Sequence, residues 1–260
     1  MPEKETAEAI TTNEYWTKNY SDVGQKVFTL RTDLNLASSE LDLYLKKILP
    51  FNKDFTFLEV GCAPGLWMHY FNKNFGYQPE GIEYSHEGCE LTKRNLSHLG
   101  IKPVIYEEDF LNNTLEKEKY DVVFSGGFIE HFLDPDSVIE KHISVLKKGG
   151  WLILEVPNLT GWNLFIQKVL DKKIVDLHNL SLMNIDFFSQ LKKRFPIEIV
   201  DISYVGRFNL CLFVGNKAIL IILASIQFIF SELYFFFGRK FPFSDSKKRS
   251  PFIVAIYRKY

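Results

Sequence analysis

The sequence predicts an α/β fold: a mostly parallel sheet with helices on both faces. Three observations carry this. Between Phe55 and Val156, short apolar runs alternate with amphipathic helical stretches. Glycines stand where helices have to end, at Gly100 and at the pair Gly149–Gly150. A glycine turn, Gly61 to Gly65, leads from the first apolar run straight into a helical pattern.

Taken in order, residues 1–12 are polar and charged and read as a loose tail. Residues 13–35 are aromatic and polar, with Tyr15, Trp16, Tyr20 and Phe28, which predicts a segment folded over another surface. Trp16 and Tyr20 are four apart and share a helix face. Ser38–Leu49 has Leu41, Leu45, Ile48 and Leu49 at helical spacing, and Pro50 stops it. The predicted strands are Phe55–Val60, Gly81–Tyr84, Val104–Tyr106, Tyr120–Ser125 and Trp151–Val156. Helices Leu66–Asn74, His86–Leu99 and Pro135–Leu146 fill the gaps. After Pro157 the alternation loosens. Ile197–Tyr204 and Phe252–Tyr257 predict two further strands, separated by the almost wholly apolar run Ala218–Phe237.

The 260 residues suit one large domain or two small ones. With 46% hydrophobic and 24% charged residues, the chain reads as globular. Its net charge of −1 lacks the basic excess of a general nucleic-acid binder. Cys62, Cys89 and Cys211 are far apart with no CxxC pair, which argues against a disulfide framework and a cysteine zinc site. A reducing, cytoplasmic setting is expected, and the N-terminus lacks the apolar core of a secretory signal.

The glycine turn reads Glu59-Val60-Gly61-Cys62-Ala63-Pro64-Gly65. In open α/β sheets ligands bind beyond the carboxyl ends of the strands, where a glycine turn lets backbone N–H groups approach closely. Glu83 ends the second strand 22 residues after Gly61, the spacing at which an acidic side chain meets ribose hydroxyls. A dinucleotide fingerprint would need glycines where Ala63 and Leu66 stand, which counts against a nicotinamide dehydrogenase. The Gly-Lys-Ser/Thr of a P-loop is absent. A turn that only reverses the chain is the plain alternative.

With these residues in place, the chain resembles the class I S-adenosylmethionine-dependent methyltransferases of the small-molecule type, with their Rossmann-like fold. Five segments carry the resemblance: LEVGCAPG at 58–65, GIEYS at 81–85, EEDF at 107–110, YDVVFSGGFIEHF at 120–132 and LKKGGWLILEVPN at 146–158. The resemblance implies a seven-stranded sheet with the last strand antiparallel and an apolar helical insertion at about 207–246. It divides the chain into an N-terminal capping segment, 1–35, and a methyltransferase domain, 36–260. It implies S-adenosylmethionine as cofactor. Glu59, Gly61, Cys62, Ala63 and Gly65 would line its methionine part, and Glu83 would hold the ribose. Tyr84, Asp109 and Phe110 would meet the adenine, and Ser125 and Gly126 would close the site. Tyr15, Trp16, Tyr20 and Arg31 resemble the family's cap helix, and Asn158 would face the acceptor.

Methyl transfer from a sulfonium needs a base only where the acceptor is protonated, as a hydroxyl is. His131, beside Glu130, is the candidate, with helix capping or pocket shaping as the plain alternative. His178 is the second candidate, since related enzymes place a substrate-facing histidine in this region. His69, His86, His98 and His142 read as surface or packing residues, and no cluster has metal-ligand spacing. The loop Ser125-Gly126-Gly127-Phe128 lacks the Pro-Pro-aromatic signature of enzymes methylating base amino groups. A small or lipid-linked acceptor, methylated at oxygen, is therefore expected, with no nucleic-acid partner. Ala218–Phe237 leaves three readings open: a helix buried in the core or a homodimer interface, a helix on a membrane surface, or a transmembrane span. A non-catalytic fold acting through this helix on a partner or membrane is the alternative to an enzyme.

Overall fold

A computed structural model describes residues 8–21, 23–24, 26–239 and 243–260. Helices α1 (Asn13–Ser21) and α2 (Leu36–Ile48) precede the sheet. The chain then alternates through β1 (Thr56–Val60), α3 (Leu66–Phe75), β2 (Gln78–Glu83), α4 (His86–His98) and β3 (Val104–Glu107). It continues with β4 (Tyr120–Gly126), α5 (Pro135–Val145) and β5 (Leu146–Pro157). Next come α6 (Gly161–Leu170), α7 (Lys172–Asp176), α8 (Ile185–Gln190) and β6 (Ile197–Val205). The last elements are α9 (Lys217–Phe236) and β7 (Phe252–Lys259).

The seven strands lie in the order β3-β2-β1-β4-β5-β7-β6. Pairs β1–β2, β1–β4, β2–β3 and β4–β5 are parallel, whereas β7 runs antiparallel to both β5 and β6. This is the seven-stranded arrangement expected. The period-two alternation of strand side chains feeds two apolar layers. Phe57, Val122, Phe124, Ile153, Val254 and Ile256 pack with Leu41 and Leu45 of α2 and Met68, Phe71 and Phe75 of α3. Leu58, Val123, Leu152, Leu154, Ile253 and Tyr257 face the other way, onto Val138, Ile139 and Ile143 of α5 and Phe188 of α8.

Helix ends follow local chemistry. Asn35 caps α2 by accepting from the Ser38 amide, Ser85 caps α4 through the Gly88 amide, and Asp134 precedes a proline that starts α5. Gly100 takes φ +75° just past α4, as expected. Gly149 is also left-handed, at φ +73°, but it ends no helix. Helix α5 stops at Val145, and Gly149 lies inside β5, where the register against β4 slips between Tyr120 and Val122. The bulge uses the same backbone freedom that a helix end would need.

The topology sets where function sits. Because β6 is parallel to β5, its end at Val205 and the start of β7 at Phe252 lie at the same sheet edge as Gly61 and Glu83. The chain therefore leaves β6 and returns to β7 at the ligand-binding edge of the sheet.

Candidate active site

At the end of β1, Gly61 takes φ +69°. A Cβ there would lie 2.7 Å from the Phe128 ring, so only glycine lets the turn rest on that ring. The amides of Gly61 and Cys62 both donate to the Ile82 carbonyl, at 2.9 and 3.2 Å, tying the turn to the end of β2. Beneath it, a Glu59 carboxylate oxygen accepts from the Met68 amide at 2.8 Å, at the start of α3. Burial drives the Glu59 carboxyl well above its usual range.

Glu83 is buried at the end of β2, and its Oε1 accepts from the Ser85 amide at 2.9 Å. Burial pushes its carboxyl up to about 7, while the Ser85, Ala63 and Tyr84 amides oppose the rise. Beyond β3, Asp109 accepts from the Leu111 amide at 3.0 Å and from Asn112 Nδ2 at 2.7 Å. Beyond β4, Gly127 turns at φ +67° and donates to the Glu155 carbonyl at 3.0 Å. These strand ends enclose a cavity of about 250 Å³, walled by Gly61, Glu83, Tyr84, Asp109, Phe110 and Phe128.

The N-terminal segment closes the opposite side with Thr11, Trp16 and Tyr20. Trp16 donates from Nε1 to Thr11 Oγ1 at 3.0 Å, stacks on Tyr20 and sets its ring edgewise to His131. The tail is not loose over residues 8–12. The Ile10 amide donates to the His131 carbonyl at 2.7 Å, and the Leu133 amide donates to the Glu8 carbonyl at 3.0 Å. Ala9 and Phe132 thus form an antiparallel bridge. Met1–Ala7 lie outside the described residues.

Of the residues singled out from sequence, Gly61, Glu83, Tyr84, Asp109, Phe110 and His131 line the cavity. Glu59, Cys62, Ala63 and Gly65 do not. Glu59 braces α3, and Cys62 is buried with its Sγ against Gly81. The Ala63 amide faces Glu83, and Gly65 packs on Thr92 and Leu96 of α4. Ser125 and Gly126 fall short of the wall because β4 runs on through Gly126, so Gly127 and Phe128 take their place. Asn158 faces no acceptor. It is fully buried, and its Nδ2 donates to the Lys247 and Ser250 carbonyls at 2.9 and 2.8 Å.

His178 sits behind His131 rather than on the cavity wall, their ring centroids 4.8 Å apart. His131 Nδ1 faces the Leu177 carbonyl at 2.8 Å, which fixes the proton on Nδ1 and leaves a lone pair on Nε2. His178 Nδ1 is likewise held by the Ile174 carbonyl. Burial, with His178 adding to it, lowers the His131 imidazole to about 4. Glu130, noted in the sequence only as the neighbour of His131, shows nothing there of its state in the fold. It is fully buried, neither carboxylate oxygen has a hydrogen-bond partner, and Oε1 lies 4.0 Å from His131 Nε2. Burial raises its carboxyl strongly, with Glu155 adding to the rise. Glu130, His131 and His178 bring one ligand-type atom each within 4.8 Å of one another, a cluster able to share a proton or hold a cation. The glutamate and first histidine are adjacent in sequence, but His178 comes 47 residues later, and no local spacing announces it.

A family model described as a methyltransferase domain matches residues 33–202. The ubiquinone biosynthesis O-methyltransferase of Proteus mirabilis is 28% identical over 103 residues, covering 39% of this chain and 41% of that protein. The chain thus spans about two fifths of that relative. The ribosomal RNA large subunit methyltransferase E of Desulfatibacillum aliphaticivorans is 25% identical over 182 residues, 64% of this chain and 82% of that protein. Among solved structures, geranyl diphosphate C-methyltransferase from Streptomyces coelicolor superposes with a TM-score of 0.55 at 14% identity, covering 84% of this chain and 78% of that one. A putative methyltransferase in complex with the Haloferax volcanii Trm112 activator gives 0.60 at 13% identity, over 95% and 97%. Both likenesses are of fold. With the family model covering well over half its length and the fold in agreement, the chain belongs to the methyltransferase-domain family, in its Rossmann-like, class I form.

Proposed function

We propose that this protein is an S-adenosylmethionine-dependent methyltransferase acting on a hydroxyl of a small or lipid-linked acceptor. The observation that carries the reading is the cavity at the carboxyl edge of the sheet, in a chain of this family, with three carboxylates and six aromatic rings on its wall. That set suits a nucleoside. Glu83 offers carboxylate oxygens to ribose hydroxyls, Asp109 to an exocyclic amino group, and Tyr84, Phe110 and Phe128 offer flat apolar surface. The Gly61 turn, with no side chain of its own at that point, lets the amino-acid end of the cofactor approach the backbone closely. The cofactor supplies the activated methyl group, and the protein aligns it and excludes water.

Segment 8–35 acts as the cap, with Trp16 and Tyr20 shielding the cavity from solvent. His131 acts as the base. Depressed below neutrality, its imidazole is free at physiological pH to take the acceptor's hydroxyl proton at Nε2. The Leu177 carbonyl holds the ring in that tautomer, with Glu130 Oε1 4.0 Å from Nε2. His178 is a positioning residue that packs His131 in place. A ribosomal RNA methyltransferase among the relatives means that family membership does not separate RNA from small acceptors. The net charge of −1 and the absence of a Pro-Pro-aromatic loop favour the small acceptor. The relatives that methylate oxygen in ubiquinone biosynthesis favour a hydroxyl. A cytoplasmic protein that touches a membrane surface through 218–237, or pairs as a homodimer there, fits this acceptor class.

Calorimetric titration with S-adenosylmethionine and its demethylated product, with NADH as control, tests the reading. Micromolar binding of the first two alone is expected. Failure of both to bind would leave a non-catalytic fold acting on a partner.

A further inference from the structure

Helix α9 is inverted. Its buried positions are Gln227, Ser231 and Tyr234, one stripe at helical spacing. Each uses a polar atom to hold the body: Gln227 Oε1 accepts from the Leu210 amide at 2.9 Å, Ser231 Oγ from the Leu36 amide at 3.1 Å, and the Tyr234 hydroxyl donates to Glu40 at 2.6 Å. The apolar residues point away. Ile221, Ile222, Ile229, Phe236 and Phe237 are each more than half exposed. Between Ala218 and Phe237 the outward side carries only Ser225 and Glu232 as polar residues, and Ser225 bonds back to the Ile221 carbonyl. A soluble protein arranges a surface helix the other way round. The reading of α9 as a helix buried within the chain's own core is therefore not met.

Helix α6 presents a second exposed apolar stripe. Trp162, Phe165 and Val169 are 60, 61 and 71% exposed. It is tied to the approach to α9, because Gln167 bonds both the carbonyl and the amide of Val214, at 2.9 and 3.0 Å. Its first turn is tied to the turn before β7, where the Trp162 amide donates to the Lys248 carbonyl at 3.0 Å. Segment 207–251 carries seven Lys or Arg against two Asp or Glu, a net +5 in a chain of net −1.

We propose that α6 and α9 form one platform that docks on an anionic lipid surface, lying along it rather than crossing it. Charge decides between occupants. A second copy on this face would set two basic segments against each other, even with Arg207 held by Glu40 at 3.0 Å, whereas an anionic headgroup layer complements them. Spanning is disfavoured because β6 and β7 leave and re-enter the body at the same sheet edge. That edge also holds the cavity mouth, so docking brings the cavity to the bilayer. This last step rests on the proposed function, whereas the docking does not.

Flotation of the full chain with phosphatidylcholine vesicles, with and without phosphatidylglycerol, tests the proposal. Two variants accompany it: Ile222→Glu/Ile229→Glu/Phe236→Glu on α9 and Trp162→Glu/Phe165→Glu on α6. Both replace exposed side chains, and thermal melting checks that each folds. The wild type is expected to float with the phosphatidylglycerol vesicles, less so in high salt. Each variant is expected to lose about tenfold or more of that partition, because charged side chains enter the interface poorly. Equal flotation of folded variants would overturn the proposal, as would a wild type that ignores vesicles. A wild-type dimer that the α9 variant splits, with no vesicle binding, would assign the face to a second copy. S-adenosylmethionine titration of the same samples separates the two readings: lost cofactor binding with intact flotation sinks the proposed function alone.

Discussion

The two ends of the sheet solve opposite problems. Around β1, β2 and α3, apolar side chains turn inward and glycines and carboxylates meet at the strand ends. Around α9, the polar side chains turn inward and the apolar ones face out. Both regions show helical periodicity. The difference teaches that periodicity says which residues share a face, not which face is covered.

The comparison breaks most sharply at Gly61. Gly61→Arg forces a left-handed position on a side chain and drives it into Phe128. Calorimetry is expected to show S-adenosylmethionine affinity reduced by about 100-fold or more, since a non-glycine residue there combines backbone strain with a clash. Unaltered affinity would detach the glycine turn from the cofactor. Next comes His131→Gln. Turnover with an active acceptor is expected to fall by about 10²- to 10⁴-fold, the range of general-base removal, with cofactor affinity near wild type. Equal turnover would return His131 to a structural role.

Glu83→Gln sharpens the electrostatic side. Loss of a charged hydrogen-bond acceptor is expected to weaken cofactor binding by about 10- to 100-fold at pH 8, from roughly 1.5–3 kcal/mol. In the wild type, affinity should rise with pH through about 7 as Glu83 ionises, and the variant should be flat there. The stability linkage has the opposite sign. A carboxyl raised in the folded state favours folding at low pH, and its contribution is lost as pH climbs from its unfolded value through about 7. The smallest effect belongs to the inverted helix. Tyr234→Phe removes the hydroxyl bond to Glu40 and is expected to cost about 1 kcal/mol, read as a drop of roughly 2–4 °C in Tm.

The sequence made the first region legible because its signals are local. Gly61, Glu83 and Asp109 each end a strand, and strand, turn and helix follow within a few residues. The one-residue miss at Ser125 and Gly126 arose because two adjacent glycines, Gly126 and Gly127, both permit a strand to end. The second region was illegible for a different reason. Gln227, Ser231 and Tyr234 read as scattered polar interruptions until Leu210 supplies a partner for the first and α2, nearly 200 residues away, supplies partners for the other two. Glu130 and His178 likewise meet only through the fold. Asn158 stood next to a strand end, as acceptor-facing residues do, yet the return of the chain at 247–250 claims it.

The bridge between Ala9 and Phe132 has a kinetic consequence. Trp16 and Tyr20 of α1 wall the cavity, and the residues just before α1 are stitched by backbone bonds to the loop bearing His131. On the proposed function, release of a nucleoside past these two rings would require that bridge to unzip. Amide exchange at Ile10 and Leu133, slowed when nucleoside is held and hastened when it departs, would clock that step directly, and its rate sets a ceiling on turnover however fast the methyl moves.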